Sequence, residues 1–248
     1  MAFISALCVW AFFMLAVGFG ISPKISAVSA LLAALTAPVF VNSSLVLTEM
    51  SAAFIVCMAA LYLSSERKNM LLSEKTMKII IFGGIAFFPW LHIKFIFLAV
   101  PFYIAYYIKR IKEKNINITE EAAYNSVIIV SVLLFVYVKY EIYGKFAPLA
   151  VTDAITSSYY YFIFSAKNMI TSFFGILYDR NFGIITYNLF MIFSVWGIIH
   201  IIRKRDFRMM VPLLIVLPYG FVYLFWNDWT GSMTPARQYV PVVFILFL

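Results

Sequence analysis

Charged residues are scarce in this chain of 248 residues, and acidic residues are the scarcest of them. Asp and Glu number 11 against 19 Lys and Arg; charged residues make up 12% of the chain and hydrophobic residues 64%. A soluble domain of this length needs a larger polar surface, so the composition predicts an all-α integral membrane protein. The net charge of +8 falls in short loops between apolar runs, which argues against nucleic-acid binding.

The chain also lacks the residue patterns that disulfides, metal sites and common catalytic motifs require. Its two cysteines, Cys8 and Cys57, lie within apolar runs and are predicted to be small core residues. No Gly-rich phosphate loop, zinc-ligand spacing or nucleophile elbow occurs. We therefore predict no bound cofactor and no protein-held metal site, while assistance by a divalent metal stays open.

Apolar runs predict about nine membrane spans in a single transmembrane domain over residues 1–248. A crossing helix needs about 20 apolar residues, and the fourth and fifth runs are shorter than that. They either cross as tilted helices or form a re-entrant hairpin around Pro89. The predicted spans are residues 2–20, 25–41, 45–63, 79–91, 94–108, 123–143, 184–202, 209–226 and 239–248.

The positions of the basic loops predict the orientation of these spans. Residues 66–78, 109–114 and 203–208 are strongly basic and are therefore expected in the cytoplasm. The outer face then receives residues 41–44, 89–94, 144–183 and 227–238. Within the loop 144–183, the mixture of aromatic and polar residues over 155–178 predicts one or two helices lying in the membrane interface.

Glu49 is the only acidic residue among the first 65 positions, and it lies between two apolar runs. A carboxylate inside a membrane is costly, so it usually faces a partner or a wet cavity. One interpretation is a buried carboxylate bonded to Ser43, Ser44 or Thr48 that fixes helix packing. The functional interpretation is a cavity-lining carboxylate that binds a substrate hydroxyl or orients a cation.

Three other groups of polar residues are predicted on the same outer side. His92 and Lys94 follow the Pro89 turn, where they either extend toward the interface or bind a phosphate. Asp179 and Arg180 lie between Gly175 and Gly183, whose flexibility suits a tight turn; the alternative is a loop salt bridge. Asp228 and Arg237 either pair with each other or offer Arg237 to a phosphate.

At these residues the chain resembles the GT-C superfamily of polytopic membrane glycosyltransferases, of the mannosyltransferase and arabinosyltransferase type. Residues 27–38 are similar to the family's alanine-rich helix with its terminal proline, and Thr48-Glu49 to its Thr-Glu helix start. Residues 87–94 resemble a later segment with a basic residue. Residues 175–183 and 229–239 resemble outer-loop motifs of bacterial members. The motifs are loose but extend over nearly the whole chain.

The resemblance implies a hexosyl- or pentosyltransferase that moves a sugar from a polyprenyl-phosphate carrier to an acceptor outside the bacterial inner membrane. It places the family's usual catalytic acid in the first outer loop, after the first span, and leaves Glu49 as a distant substitute for the catalytic carboxylate of this chain. It implies His92, Lys94, Asp179, Arg180, Asp228 and Arg237 as substrate contacts. Residues 2–20 match the family's second span, so we expect the family's first span and its acidic loop to precede Met1, and the last span to continue beyond Leu248.

Two alternatives to an enzyme follow from the same residues. A transporter or flippase for lipid-linked sugars would use a basic outer cavity without an acid catalyst, and symmetric broken helices would indicate it. A non-catalytic membrane subunit or remnant would retain the helices without a complete site. The sequence leaves the sugar and the acceptor undefined.

Overall fold

The structure is a computed structural model in which ten α-helices are described. No β-strand occurs among the described residues, which confirms the all-α prediction. These residues are 2–36, 39–40, 48–64, 72–114, 116–144, 165–180, 183, 185, 192–204, 207–225 and 239–246. The helices are α1 (Ala2–Gly18), α2 (Pro23–Leu35), α3 (Thr48–Ser64), α4 (Glu74–Leu91), α5 (Ile96–Lys112), α6 (Ile118–Tyr143), α7 (Ala166–Tyr178), α8 (Ile192–Lys204), α9 (Phe207–Phe225) and α10 (Val240–Leu246).

Several helices begin where a polar side chain caps the first turn. Ser22, Ser73, Asn117 and Ser165 accept hydrogen bonds from backbone N–H groups at the starts of α2, α4, α6 and α7. Such caps satisfy donors that have no partner within the helix. At the other end of α6, Gly144 adopts a left-handed conformation with φ of 66°, which glycine adopts without steric cost.

Helices α4 and α5 form an antiparallel hairpin joined by the 3-10 turn Ile93–Phe95. Glu74 at the start of α4 accepts a hydrogen bond from Arg110 near the end of α5, at 2.9 Å. The two helices contain 18 and 17 residues, so α4 is about 27 Å long at 1.5 Å per residue. They are longer than the apolar runs predicted because charged residues at their ends pair with one another across α4, α5 and α6.

Helix α3 lies at the centre of the bundle, with 13 of its 17 residues buried. It contacts α1, α4, α5, α9 and α10. Its many small residues allow neighbouring helices to approach closely; they are Ala52, Ala53, Cys57, Ala59 and Ala60. The sulfur of Cys8 donates to the carbonyl of Met50 at 3.1 Å, linking α1 to α3. Both cysteines are free and buried, as the sequence predicts.

One helix in the described part of the chain, α6, is long and apolar enough to cross a membrane. Its best 18-residue window is only 11% buried within the protein, whereas a core helix of a soluble protein is mostly covered. Shorter apolar helices are Ala2–Gly18, Pro23–Leu35, Thr48–Ser64 and Ser194–Arg203. The structure therefore supports membrane association through α6, and the count of nine spans stays a prediction.

The long loop predicted outside the membrane contains one described helix, α7. It packs on α9, where the side-chain amide of Asn168 donates to the carbonyl of Leu224 at 3.2 Å. Its opposite side exposes the apolar residues Ile170, Phe173, Phe174 and Tyr178. A helix within residues 155–178 is thus confirmed for 166–178, and residues 155–164 lie outside the described part.

The contact between α3 and α4 predicts opposite effects of alanine at two adjacent glycines. A Cβ atom at Gly84 would collide with Cγ2 of Ile55, whereas a Cβ at Gly83 meets nothing within 4 Å. We expect Gly84→Ala to destabilise the protein by about 1–3 kcal/mol. Gly83→Ala should be neutral or stabilising by up to about 1 kcal/mol, since alanine is the better helix former. Thermal unfolding in detergent measures both, and equal melting temperatures would contradict this packing.

Candidate functional site

Glu49 lies in the first turn of α3 and is completely buried. Its Oε1 accepts a hydrogen bond from Nζ of Lys94 at 2.8 Å, across 45 positions of sequence. Its Oε2 lies 3.4 Å from the donating Oγ1 of Thr48. A buried carboxylate requires such partners because its hydration is lost. The helix N-terminus adds a favourable interaction with the negative charge.

Lys94 reaches Glu49 from the 3-10 turn between α4 and α5, and its side chain is only 10% exposed. The ammonium also lies 5.2 Å from the centre of the Phe95 ring, within range of a cation–π interaction. Lys94 therefore does not simply extend to the interface. Its positive charge is held inside the protein against the carboxylate of Glu49.

His92 shapes the turn that carries Lys94. Its Nδ1 accepts a hydrogen bond from the backbone N–H of Lys94 at 3.2 Å, so the imidazole caps the short 3-10 helix. The imidazole lies 6.3 Å, centre to centre, from the Phe95 ring, while His92 as a residue is exposed. The structure thus brings His92, Lys94 and Glu49 into one local site. From the sequence, His92 and Lys94 were predicted as one group and Glu49 as another.

A group of three buried tyrosines adjoins this site and was not predicted from the sequence. Tyr219 and Tyr223 lie one turn apart on α9, and their hydroxyls are 3.1 Å apart. Tyr239, just before α10, places its ring 5.9 Å from the ring of Tyr223. Helix α9, which carries Tyr219 and Tyr223, packs against α3, which carries Glu49. The sequence signals were the spacing of Tyr219 and Tyr223 within an apolar run and the position of Tyr239 at the end of the motif-like segment 229–239.

Asp179 and Arg180 end α7 rather than forming a turn between two glycines. The N–H of Gly183 donates to the carbonyl of Asp179 at 2.8 Å, and a Cβ at Gly183 would lie 2.6 Å from that oxygen. The hydrogen bond from Gly183 to Asp179 closes a turn, whereas Gly175 lies inside α7, so only one of the two glycines takes part in the single turn predicted between them. Asp228 and Arg237 lie outside the described residues. The substrate roles of all four stay predictions.

A second polar cluster lies at the opposite end of α3 and joins α4, α5 and α6. Arg110 is 1% exposed, and its Nη1 lies 2.9 Å from Glu74. Its Nε is 3.2 Å from Glu121, an ion-pair distance without hydrogen-bond geometry. Lys78 contacts both oxygens of Glu120 at 3.1 Å. The described parts of two predicted basic loops, residues 72–78 and 109–114, therefore lie at the same end of the bundle, where Lys78, Lys109 and Arg110 form ion pairs.

The C-terminus of α3 is tied into this second cluster. Nζ of Lys109 donates to the carbonyl of Tyr62, in the last turn of α3. Tyr106 donates to Glu121 at 2.8 Å. The sequence contained a signal for part of this network, since Glu74 and Lys78 are spaced for an i,i+4 pair.

No group of three or more His, Cys, Asp or Glu side chains suited to a metal ion occurs within the described residues. A comparison of the sequence with protein-family models finds no matching family, and comparisons with curated proteins and with solved structures find no match either. The family resemblance therefore stays a prediction that rests on its motifs.

The buried Glu49–Lys94 pair predicts a specific pattern of stability in a double-mutant cycle. Glu49→Gln leaves a buried ammonium without its counter-charge and Lys94→Met leaves a buried carboxylate, so each should cost about 3–5 kcal/mol. The double variant should recover most of that loss, because neutral groups of similar volume need no counter-charge. Thermal or denaturant unfolding of the four proteins measures the coupling, and additive losses would contradict a direct pair.

The second cluster predicts that Arg110 is far more important for stability than an exposed lysine nearby. Arg110→Met leaves Glu74 and Glu121 without their shared cation, and we expect a loss of about 3–5 kcal/mol. The control Lys75→Met changes an exposed cation on α4 and should cost less than about 0.5 kcal/mol. Unfolding midpoints in the same detergent test this, and similar midpoints for both variants would exclude a stabilising network.

Proposed function

We propose that this chain is a polytopic membrane glycosyltransferase of the GT-C type, with about nine spans and an outward-facing site. It would transfer a sugar from a polyprenyl-phosphate carrier to an acceptor on the extracytoplasmic side of a bacterial inner membrane. The observation that carries the proposal is the buried contact between Glu49 and Lys94. It joins the carboxylate that is our candidate for acid–base chemistry to an ammonium that is our candidate for phosphate binding.

The separation of the two polar clusters supports a membrane-spanning arrangement. Glu49 and Tyr62 lie near opposite ends of α3, about 20 Å apart at 1.5 Å per residue. Between them α3 is apolar and buried, while α6 presents an apolar surface outward. A hydrocarbon layer of about 30 Å would cover the apolar region between the two clusters. Each cluster would then lie close to one membrane face. The paired basic loops then belong to the cytoplasmic face and Glu49 to the outer one.

The chemistry of the pair suits transfer from a phosphate-linked sugar. Lys94 can exchange the carboxylate for the phosphate oxygens of the carrier, where its charge stabilises the departing phosphate. Glu49, released from Lys94, can then accept the proton of the acceptor hydroxyl as a general base. The proton moves from the acceptor oxygen to the carboxylate, the new glycosidic bond forms at the anomeric carbon, and the bond to the phosphate breaks.

A second function, binding or transport of a lipid-linked sugar without transfer, is favoured by one feature of the same pair. Both oxygens of Glu49 are engaged, by Lys94 and by Thr48, and the carboxylate is completely buried. A carboxylate held in this way cannot accept a proton from an acceptor hydroxyl until its contact with Lys94 opens. A protein that never opens the pair during binding would hold the lipid but leave the sugar on it.

The proposal predicts that activity and stability respond differently to the double variant. Transfer of labelled sugar from polyprenyl-phosphate donors is measured in membranes that express wild type, Glu49→Gln, or Glu49→Gln with Lys94→Met. We expect both variants to lose about 100-fold or more of the activity, which is the usual effect of removing a general base. The double variant should nevertheless regain the thermal stability that the single variant loses.

The outcome separates the two functions and a purely structural role. Activity that returns together with stability in the double variant would make Glu49 a packing residue and exclude it as the base. Wild-type membranes that bind the lipid-linked sugar but never transfer it would favour the binding or transport function. Wild-type membranes that neither bind nor transfer it would exclude both.

A further inference from the structure

The hydroxyl of Tyr239 is buried yet forms no hydrogen bond to any group in the described part of the chain. The residue is 7% exposed. Buried polar groups in native proteins nearly always have a partner, because leaving a donor or acceptor unsatisfied costs free energy. Phenylalanine would fill the same space without that cost. Packing within the described part of the chain therefore gives no reason for this hydroxyl.

The neighbours of Tyr239 point toward the candidate site. Its ring contacts Tyr223, whose hydroxyl is 3.1 Å from that of Tyr219. Helices α9 and α10 both contact α3, whose first turn carries Glu49. The three tyrosines thus form a row of aromatic faces and phenol oxygens on two neighbours of α3, supplied by α9 and by the residue preceding α10. All three are buried.

The charges of this row select the kind of ligand group that it fits. Glu49 makes its surroundings unfavourable for a phosphate but favourable for a neutral group that donates hydrogen bonds. Phenol oxygens accept and donate hydrogen bonds, and the aromatic rings supply an apolar wall for C–H groups. A sugar ring has both features, whereas the anionic phosphate of a lipid carrier fits the ammonium of Lys94.

We propose that Tyr239, with Tyr219 and Tyr223, forms the subsite for the sugar of the lipid-linked ligand, and that the Tyr239 hydroxyl bonds a sugar hydroxyl. This inference rests on the proposed function, and it adds the residues that distinguish a glycosylated carrier from a bare one. On this proposal the Tyr239 hydroxyl lowers the stability of the free protein and forms a hydrogen bond to the sugar in the complex. Because the hydroxyl is buried, the ligand must displace part of the packing of α10 to reach it.

The test measures stability and sugar preference in the same variants. Purified wild type, Tyr239→Phe and the control Tyr106→Phe are melted alone, then titrated with polyprenyl phosphate and with a panel of polyprenyl-phosphate-linked hexoses and pentoses. We expect Tyr239→Phe to melt at or above the wild-type temperature without ligand. Its preference for the glycosylated lipid over polyprenyl phosphate should fall about tenfold. Its affinity for polyprenyl phosphate itself should stay unchanged.

Tyr106→Phe is the matched control because it also removes one buried phenol hydroxyl, but from the cluster at the other end. Its hydroxyl is bonded to Glu121, so this variant should melt lower than wild type and keep the sugar preference. A Tyr239→Phe protein that melts clearly lower, or that keeps the full sugar preference, would overturn the subsite. Wild type that binds both lipids equally would overturn it while leaving carrier binding intact. Binding to neither lipid would exclude the proposed function and the subsite together.

Discussion

The buried contact between Glu49 and Lys94 is the constraint on which the arrangement of the site depends. Neither charge is tolerable inside the protein without the other, because each would lose its hydration without compensation. The contact therefore fixes the start of α3 against the turn between α4 and α5. It also determines the chemistry of the site, since a ligand must compete with one partner to bind the other. An anionic phosphate can replace Glu49 as the partner of Lys94. An anion cannot replace Lys94 as the partner of Glu49, because the two negative charges would repel.

Helix α3 makes this contact possible because it is built from small residues. Alanine and cysteine side chains on several faces let five other helices pack against it, and the absence of a side chain at Gly84 lets α4 approach Ile55. Apolar packing alone would not fix how far α3 slides along its axis. The polar contacts at its two ends do so, with Glu49 bonded to Lys94 at one end and the Tyr62 carbonyl to Lys109 at the other.

The sequence predicted the helices and the key carboxylate better than it predicted the partners. Glu49 was conspicuous because it was the one acid in a long apolar region, and the cost of burying it implied a site. Its partner was not predictable in the same way, because Lys94 lies 45 residues away and a lysine beside a turn suits the interface equally well. The tyrosines were hidden by composition, since aromatic residues make up 19% of the chain. The charges at the ends of α4 and α5 were interpreted as loops, although pairing across three helices keeps them helical.

Glu49, Lys94 and Tyr239 share a physical logic that favours binding over packing as their purpose. The pair carries two buried charges that similar apolar residues would replace at little or no loss of stability. The Tyr239 hydroxyl has no hydrogen-bond partner in the described part of the chain, and phenylalanine in its place would need none. Packing alone requires none of these three groups, which is why we propose that a ligand uses them. A ligand with a phosphate for Lys94 and hydroxyls for the phenols and the carboxylate would satisfy each group that the free protein leaves neutralised or unsatisfied.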